Sequence, residues 1–405
     1  MMARSHIRPG FRLVFWREVG WLLRRPFLLG LTTIVPLAQM AFLAAIFSAG
    51  LATRLPIGVL DLDNSDLSRT IIRMVDATPD SAVTVRVGDL AEGRGMILSG
   101  KIHGLLMLPL NLQRDVFAGR RPEVVFFYNT QTLTTGNLTV RGVNAALPTA
   151  AAGIRLSLRT AQGQPLEIAQ ADLQPIPVQT HALFNPTLNY VYFLLTALIP
   201  SILQVIMVTT AAYSVGLDVE TRYRLRILGE LGGGIWPAMA GKILPYTVLF
   251  MLVLGLSDTL LIVGFELPLH GRSWLLMIAG LLFVLSCQFL GAWLALVLKP
   301  IVSAVSIGTL LTAPAFGFMG IGFPRLGMNA FAYGYGALLP GTWYLTARID
   351  QTVRGTPLDL SWKPLLVLLA FTVALAGLVA WKLESIRSAR RSSGQAAPRL
   401  GEALP

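Results

Sequence analysis

The sequence predicts a polytopic α-helical membrane protein with six transmembrane helices, an inserted α/β extracytoplasmic domain and a re-entrant segment before the last span. Long runs of the chain contain no charged residue, and about 20 apolar residues suffice to cross the hydrocarbon of a bilayer. Only 13% of the residues are charged and 54% are hydrophobic, whereas a soluble domain carries about 25% charged residues. The uncharged runs are Pro26–Thr53, Ala182–Leu217, Ser273–Leu298, Pro300–Pro324 and Pro364–Trp381.

The net charge of +12 is concentrated at the ends of the predicted spans. Residues 1–26 hold six arginines against one glutamate, and the stretch from Lys382 onward holds five basic against two acidic residues. The polar insert from Arg54 to His181 is nearly neutral, with twelve basic and eleven acidic residues. Basic residues flanking spans mark the cytoplasmic side, so both termini are predicted to be cytoplasmic. This distribution argues against nucleic acid as a partner.

Residues 1–26 are predicted to form a cytoplasmic amphipathic helix that lies in the membrane interface. Trp16 and Trp21 suit the headgroup region, and a solvated arm is the alternative. The basic region is too long for a cleaved secretory signal, so it is interpreted as an anchor that leads into a first span at 27–49. The predicted apolar stripe has helical spacing and consists of Phe11, Val14, Phe15, Val19 and Leu22, with Arg12, Arg17 and Arg24 off it.

Residues 50–188 are predicted to fold as an α/β domain outside the membrane, because β-rich and helical runs alternate there. A long helix is expected over Thr132–Thr160, and Pro175 and Pro177 mark the return to the membrane. The single cysteine, Cys287, falls in a span and is expected to be buried. The β-rich runs are Leu55–Leu60, Val83–Val87, Gly104–Leu108 and Val124–Tyr128, separated by helical runs Asp66–Ala77, Leu90–Lys101 and Asn111–Ala118.

The membrane region 189–385 is predicted to hold five further helices, followed by a cytoplasmic tail at 386–405. The uncharged segment Leu326–Ala347 is a candidate seventh span, but glycines and prolines break it, and a seventh crossing would place the basic tail outside. A re-entrant segment at 325–347 fits better, because irregular backbone survives at membrane depth where protein buries it. The five helices are predicted at 189–217, 235–263, 274–298, 301–323 and 363–382.

The loop at 218–234 is the main charged surface between spans on the predicted cytoplasmic side. Its residues have helical character, and Gly232, Gly233 and Gly234 follow as a helix stop and hinge. It is interpreted either as a docking helix for a cytoplasmic partner or as a solvated connector. Its charged residues are Asp218, Glu220, Arg222, Arg224, Arg226 and Glu230.

Two charged residues fall inside the third predicted span. Asp258 is a functional candidate, because ionisable groups within the membrane are costly, although a hydrated position near the outer end is an equal alternative. Lys242 lies near the inner end, where its ammonium can snorkel to water, and is interpreted as structural.

Two short motifs are judged structural. Gly95–Ile102 fits a phosphate-binding loop except at its last position, where Ile102 replaces Ser or Thr, and it closes a helix instead of opening one. Asp61–Asp66 resembles the start of a calcium loop but lacks its glycine, so a strand end followed by a helix cap is favoured. The four histidines are scattered along the chain, so no catalytic residue and no metal site is predicted.

Four stretches of this sequence resemble the membrane subunit, or permease, of type-2 ATP-binding cassette exporters, in the branch with a large extracytoplasmic domain after the first span. Together they cover nearly the whole chain. In the loop the sequence departs from the family pattern, because Tyr223-Arg224 stand where a Gly-Thr pair is common. The stretches are Trp16-Arg17-Glu18 to Arg24-Arg25-Pro26 with Pro36 in the following span, Val59 to Ser68-Arg69, Glu220 to Tyr246, and Pro314 to Tyr344.

The resemblance implies that two permeases, either identical or paralogous, surround a translocation path in a bacterial inner membrane and rest on separate ATP-hydrolysing subunits. ATP and Mg²⁺ would bind those subunits, and no cofactor would bind this chain. Membrane lipid and a periplasmic adaptor are further expected partners. The implied coupling residues are Glu220, Arg222, Tyr223, Arg224, Arg226 and Glu230, and the candidates for the path or a re-entrant gate are Asp258, Pro314, Gly317, Gly320, Pro324 and Pro340.

Other classes of membrane protein fit the sequence less well. A scaffold or sensor whose outer domain binds a ligand would need only one or two anchoring helices. An ion-coupled transporter would place polar or charged residues deep in several spans and show inverted repeats, but four of the predicted spans carry no charge. Drugs, lipids and other amphiphiles are all compatible with an apolar path.

Overall fold

The chain divides into two compact units in the computed structural model, which describes residues 9–48, 50–130, 133–161, 163–165, 184–185, 189–220 and 222–392. Met1–Gly50 and Ala182–Pro405 form the first unit, and Leu51–His181 form the second. The predicted return to the membrane at Pro175 and Pro177 lies outside the described residues, as does the tail beyond residue 392.

The first unit begins with a helix at Phe11–Leu23, here called the N-terminal helix, and continues with span 1 at Pro26–Ile46. Pro26 occupies the first position of span 1, where its missing N–H costs no helical hydrogen bond. Residue Arg25 before it is correspondingly outside the helical region, with φ −115° and ψ 89°. The N-terminal helix and span 1 are therefore separate helices joined by a fixed bend.

The second unit contains a four-stranded sheet with the order β2-β1-β3-β4. The central strand β1 runs parallel to both β2 and β3, whereas β4 is antiparallel to β3. The strands are β1 (Leu55–Asp61), β2 (Ser81–Arg86), β3 (Gly104–Leu108) and β4 (Val125–Tyr128), and the helices are α1 (Asp66–Asp76), α2 (Leu90–Leu98), α3 (Leu112–Phe117) and α4 (Leu133–Ala161).

Helices cover the sheet because each parallel connection needs a crossover. The first two helices supply these crossovers. Ile57 and Val59 of β1 pack in one core with α1 and α4, whereas Leu60 packs in a second core that includes residues of α2. Gly93 allows α2 to come close to the sheet, since an added Cβ would collide with Leu105. Successive residues of β1 thus serve opposite faces of the sheet.

The acidic turn after β1 is occupied by its own hydrogen bonds. The Asp61 carboxylate accepts from the backbone N–H of Asn64 at 2.9 Å and from the Ser68 hydroxyl at 2.8 Å. Ser65 caps α1 by accepting from the Ser68 N–H at 3.1 Å. These contacts match a strand end followed by a helix cap.

A charged pair ties the start of β2 to α4. The Arg141 guanidinium donates from Nε to the Asp80 carboxylate at 2.8 Å, and this hydrogen bond raises the pKa of Arg141. Asp80 is buried, so the pair fixes the position of α4 along the sheet.

The six predicted spans are confirmed as six helices that are long and apolar enough to cross a membrane. Spans 2 and 4 are central, with 67% of the most apolar window of each buried, compared with 22–33% for the other four. After span 1 the spans are Val191–Val219 (span 2), Ile235–Gly264 (span 3), Ser273–Val297 (span 4), Ile301–Phe318 (span 5) and Leu358–Ser388 (span 6), and a loop helix at Arg222–Gly232 joins spans 2 and 3.

The predicted end of span 5 at residue 323 is wrong, because the helix stops at Phe318. Gly320 adopts φ +94°, in the left-handed region that glycine tolerates, and so turns the chain out of the helix. After a short 3₁₀ turn come two helices, Ala330–Ala337 and Pro340–Ile349, here called the short-helix pair. At 8 and 10 residues each is too short to cross a bilayer, and their insertion into the membrane stays a prediction.

Spans 2 and 4 meet closely at Gly291, where an added Cβ would collide with the Val208 carbonyl and lie 2.9 Å from Ala211 Cβ. Small residues allow this approach between membrane helices. We expect Gly291→Ala to destabilise the protein by about 1–3 kcal/mol through overpacking. Gly255→Ala in span 3 is the matched control, since an added Cβ there meets nothing within 4 Å. If the two purified variants unfold at the same temperature, the close packing at Gly291 is contradicted.

Candidate functional site

A charged residue lies on the buried face of the N-terminal helix. Val14, Glu18 and Leu22 are spaced by four residues and are the buried residues of this helix. Phe15 and Val19 of the predicted apolar stripe are only partly buried, and the placement of that stripe in the membrane interface stays a prediction. The helix packs on span 3 of its own chain, and Gly241 permits this, because an added Cβ would lie 2.8 Å from the Phe11 carbonyl oxygen. The buried stripe consequently faces protein.

Glu18 is 1% exposed, and one of its carboxylate oxygens accepts three hydrogen bonds. Lys242 Nζ and Ser214 Oγ donate to Glu18 Oε1 at 3.0 Å each, and the Tyr246 hydroxyl donates at 3.1 Å. Charged groups are rarely buried unless they are paired and hydrogen-bonded, and Glu18 meets both conditions. Its partners come from spans 2 and 3.

Lys242 also pairs with Asp218, whose Oδ2 lies 2.7 Å from Nζ. Arg17 donates to both oxygens of Asp218, at 3.2 and 3.0 Å. Two acids and two bases therefore neutralise each other, and we call Arg17, Glu18, Asp218 and Lys242 the buried charge cluster. The interpretation of Lys242 as a snorkelling residue is wrong, because its side chain is only 3% exposed and its ammonium faces two carboxylates.

The buried charge cluster joins three helices that are far apart in sequence. It connects the N-terminal helix to the last turn of span 2 and to the start of span 3. The loop helix packs on the same assembly, since Leu228 is buried in one cluster with Val14 and Ala238. In addition, the Gly10 N–H donates to the Leu231 carbonyl at 2.8 Å. A displacement of the loop helix must therefore move these three helices or break buried contacts.

The predicted coupling residues mostly lie at the surface of the loop. Glu220 is exposed and forms no ion pair with any described residue. Arg226 and Glu230 pair across one helical turn at 2.7 Å, and both are well exposed. Arg224 is exposed and donates to the Leu217 carbonyl at 3.5 Å. Asp218, placed in the loop by the sequence, instead ends span 2 and is buried. The side chains of Arg222 and Tyr223 lie outside the described part of the chain.

Asp258 in span 3 has an unexpected partner in Arg348, the next-to-last residue of the second short helix. Arg348 is fully buried, and its guanidinium also lies 3.4 Å from the Tyr344 hydroxyl. The Tyr344 ring stacks on Phe283 of span 4 at 4.6 Å between centroids. Asp258 is thus paired with a buried arginine, and 18% of its side chain is exposed. It fixes the short-helix pair to span 3.

The other predicted gate residues surround the turn between span 5 and the short-helix pair. Pro314 interrupts span 5, Pro324 precedes the 3₁₀ turn, and Pro340 opens the second short helix. Gly317 has open space at its Cβ position. Gly320 adjoins Arg325, whose Cγ would lie 2.6 Å from an added Cβ. Of these residues, Pro340 lies on the same helix as Arg348, the partner of Asp258. The other four, Pro314, Gly317, Gly320 and Pro324, precede that helix and are not part of this ion pair.

A buried amide anchors this second short helix to the centre of the bundle. Gln204 of span 2 is fully buried and accepts from the Gly341 N–H at 2.7 Å. This N–H belongs to the first turn of the helix and has no intrahelical acceptor. Gly341 leaves space for the amide, because an added Cβ would lie 2.7 Å from its oxygen.

Sequence reasoning missed Glu18, Arg348 and Gln204. Glu18 is the single acid among the charged residues of the first 26 positions and lies four residues from both Val14 and Leu22. That spacing was a usable signal of a buried carboxylate. For Arg348 no such signal existed, because it follows an uncharged segment as a flanking arginine would.

Comparison with known proteins gives consistent results. The sequence profile of the family described as "ABC-2 family transporter protein" matches residues 26–381. The chain is also 23% identical over 369 residues to proteins described as "Inner membrane transport permease YhhJ" from Escherichia coli (strain K12) and Shigella flexneri. These alignments cover 86% of this chain and 92% of each relative.

Proposed function

Because the chain belongs to the ABC-2 transporter family and is a transmembrane transport subunit, we propose that it forms the translocation path of an ATP-driven exporter. Family membership implies an ATP-binding cassette subunit as partner. ATP and Mg²⁺ would bind that separate subunit, and this chain would supply no catalytic residue. We further propose that two permease subunits, identical or paralogous, form the complete path.

The observation that carries this proposal is the connection between the loop helix and the buried charge cluster. The loop helix presents exposed charges, such as Arg226 and Glu230, to a partner, while its other face packs on Val14 and Ala238. Those residues adjoin Glu18 and Lys242, which bind the N-terminal helix to spans 2 and 3. A force applied by an ATPase at the loop helix would thus reach the N-terminal helix and spans 2 and 3.

The proposed orientation follows from the charges at the ends of the chain. Basic residues before span 1 and after span 6 favour cytoplasmic termini, which places the loop helix in the cytoplasm. The unit Leu51–His181 would then lie on the opposite side, where it can gate exit or bind a periplasmic adaptor. The name of the YhhJ relatives supports a bacterial inner membrane as the location.

The short-helix pair is the proposed gate of the path. It would re-enter the membrane from the extracytoplasmic side, held by the contacts of Arg348 with Asp258 and of Gly341 with Gln204. The spans around it carry few charges, so the proposed substrates are drugs, lipids or other amphiphiles.

Docking of the ATPase is tested by charge reversal on the loop helix. Arg226→Glu/Glu230→Arg keeps an i, i+4 ion pair within the helix but inverts the charges that a partner meets. We expect this variant, combined with Glu220→Arg, to lose most of the ATPase subunit that co-purifies with the wild-type protein after mild detergent extraction. Glu384→Arg is the control, since Glu384 is exposed on the helix of span 6 and outside the loop.

The outcomes separate the candidate functions. If the charge-reversed variant and the control both retain the ATPase, docking occurs elsewhere on the permease. If the wild-type protein yields no ATPase under conditions that preserve complexes, the exporter proposal fails, and a membrane scaffold or sensor becomes the better description.

A further inference from the structure

A cavity of about 240 Å³ opens beside the buried charge cluster. It lies between the N-terminal helix, the end of span 2, the start of span 3 and the loop helix, and Arg17, Trp21, Arg25, Asp218, Arg224 and Lys242 contribute to its wall. A water molecule takes about 30 Å³ of liquid volume, so the cavity suits a small polar group. It is smaller than the clefts of about 300–1,000 Å³ that bind drug-sized ligands.

The cavity wall carries an excess of positive charge. Arg17 is paired with Asp218, and Lys242 is paired with both carboxylates of the cluster. Arg25 and Arg224 have no ion pair with any described residue. Two cationic side chains at the wall are thus uncompensated, which favours an anion.

Glu18 also lines the cavity, and most of the carboxylate oxygens of the cluster face donors or cations, with Glu18 Oε2 accepting no hydrogen bond from the described residues. Three donors surround Glu18 Oε1, and Asp218 accepts from Arg17 while contacting Lys242. Arg25 is itself positioned by Trp21, because its guanidinium carbon lies 4.4 Å from the centre of the indole ring. This cation–π contact leaves the guanidinium donors able to bind an acceptor.

The depth of the cavity matches the headgroup layer of a membrane. Arg25 immediately precedes Pro26, where span 1 begins. Asp218 is the residue before Val219, where span 2 ends. Tryptophan is enriched at this boundary between membrane and water. Leu23 and Phe27, on either side of Arg25, are 63% and 80% exposed. They offer apolar surface to acyl chains next to the cationic wall.

We propose that this cavity binds the phosphodiester headgroup of a membrane phospholipid, with Arg25 and Arg224 as the phosphate ligands. Basic pockets between membrane helices commonly hold such headgroups. The bound lipid would fill the space between the N-terminal helix and the loop helix, and so become part of the assembly that the loop helix moves.

The test is a titration of the full-length permease, purified and delipidated in neutral detergent, with phosphatidylglycerol, followed by native mass spectrometry of the lipid adducts. We expect Arg25→Gln to weaken binding about tenfold, as loss of one charge-assisted contact predicts. Arg224→Gln should act similarly. Arg24→Gln is the matched control, because Arg24 is exposed like its neighbour Arg25 but does not contribute to the cavity wall.

Three outcomes would overturn the proposal. Equal loss of binding in Arg24→Gln and Arg25→Gln would mean that surface charge alone attracts the lipid. Equal binding of diacylglycerol, which has no phosphate, would mean that only acyl chains are bound. Tighter binding of inorganic phosphate than of phosphatidylglycerol would identify a site for free phosphate. The titration needs no ATPase, so its result is independent of the docking experiment.

Discussion

Replacing Lys242 by methionine is expected to destabilise the folded protein by about 3–5 kcal/mol, the usual cost of leaving a buried charge without its partner. Lys242→Met keeps the length of the side chain but leaves Glu18 and Asp218 facing only Arg17 as a cation. Thermal unfolding of the purified protein would measure the loss. Because the same group holds the N-terminal helix on spans 2 and 3, ATPase-driven transport should fall as well.

A double variant distinguishes the missing charge balance from the missing side chain. Glu18→Gln/Lys242→Met removes one acid and one base, so the remaining Arg17 and Asp218 stay paired. We expect this protein to be more stable than Lys242→Met alone. Arg226→Gln is the control, since it breaks an exposed pair worth about 0.3–0.5 kcal/mol. The interpretation fails if Lys242→Met unfolds at the same temperature as Arg226→Gln.

Removing the Asp258 carboxylate is expected to have an effect of similar size at the opposite end of the spans. Asp258→Ala leaves the fully buried Arg348 without its acid, and loss of one partner of a buried pair costs about 3–5 kcal/mol. The short-helix pair should detach from span 3. We therefore expect transport to be lost while the ATPase still co-purifies, because the loop helix is untouched.

The charge-swapped variant Asp258→Arg/Arg348→Asp tests whether the pairing itself matters. If the contact seen here fixes the short-helix pair, the swap should recover part of the stability and transport that Asp258→Ala loses. Glu266→Ala, an acid just beyond the end of span 3, is the control. If Asp258→Ala transports as well as Glu266→Ala, the pair does not position the gate.

The main lines of the fold were predictable from local pattern. Uncharged apolar runs located the six spans, since length and hydropathy alone decide whether a helix can cross a bilayer. In the inserted unit, the β-rich run Leu55–Leu60 corresponds to β1 at Leu55–Asp61, and the long helix predicted from Thr132 begins at Leu133. Such features depend on neighbours within a few residues.

The candidate site was much less predictable, because its contacts join residues far apart in the chain. Lys242 and Glu18 are 224 positions apart, and Arg348 and Asp258 are 90 apart. A lysine near the end of a span has the same local sequence whether its ammonium reaches water or a buried carboxylate. The packing at Gly241, which brings the N-terminal helix onto span 3, decides between these outcomes.

The buried charge cluster also sets an order of events during synthesis. Glu18 leaves the ribosome 224 residues before Lys242, an interval of about 11–45 s at 5–20 residues per second. Until Lys242 has been made, the Glu18 carboxylate on the N-terminal helix has no lysine to neutralise it. Asp218 is made earlier than Lys242, but it supplies a second acid and no base. The helix can complete its docking only after the start of span 3 has been made. A nascent chain that ends before residue 242 therefore cannot close the first three spans into their final arrangement.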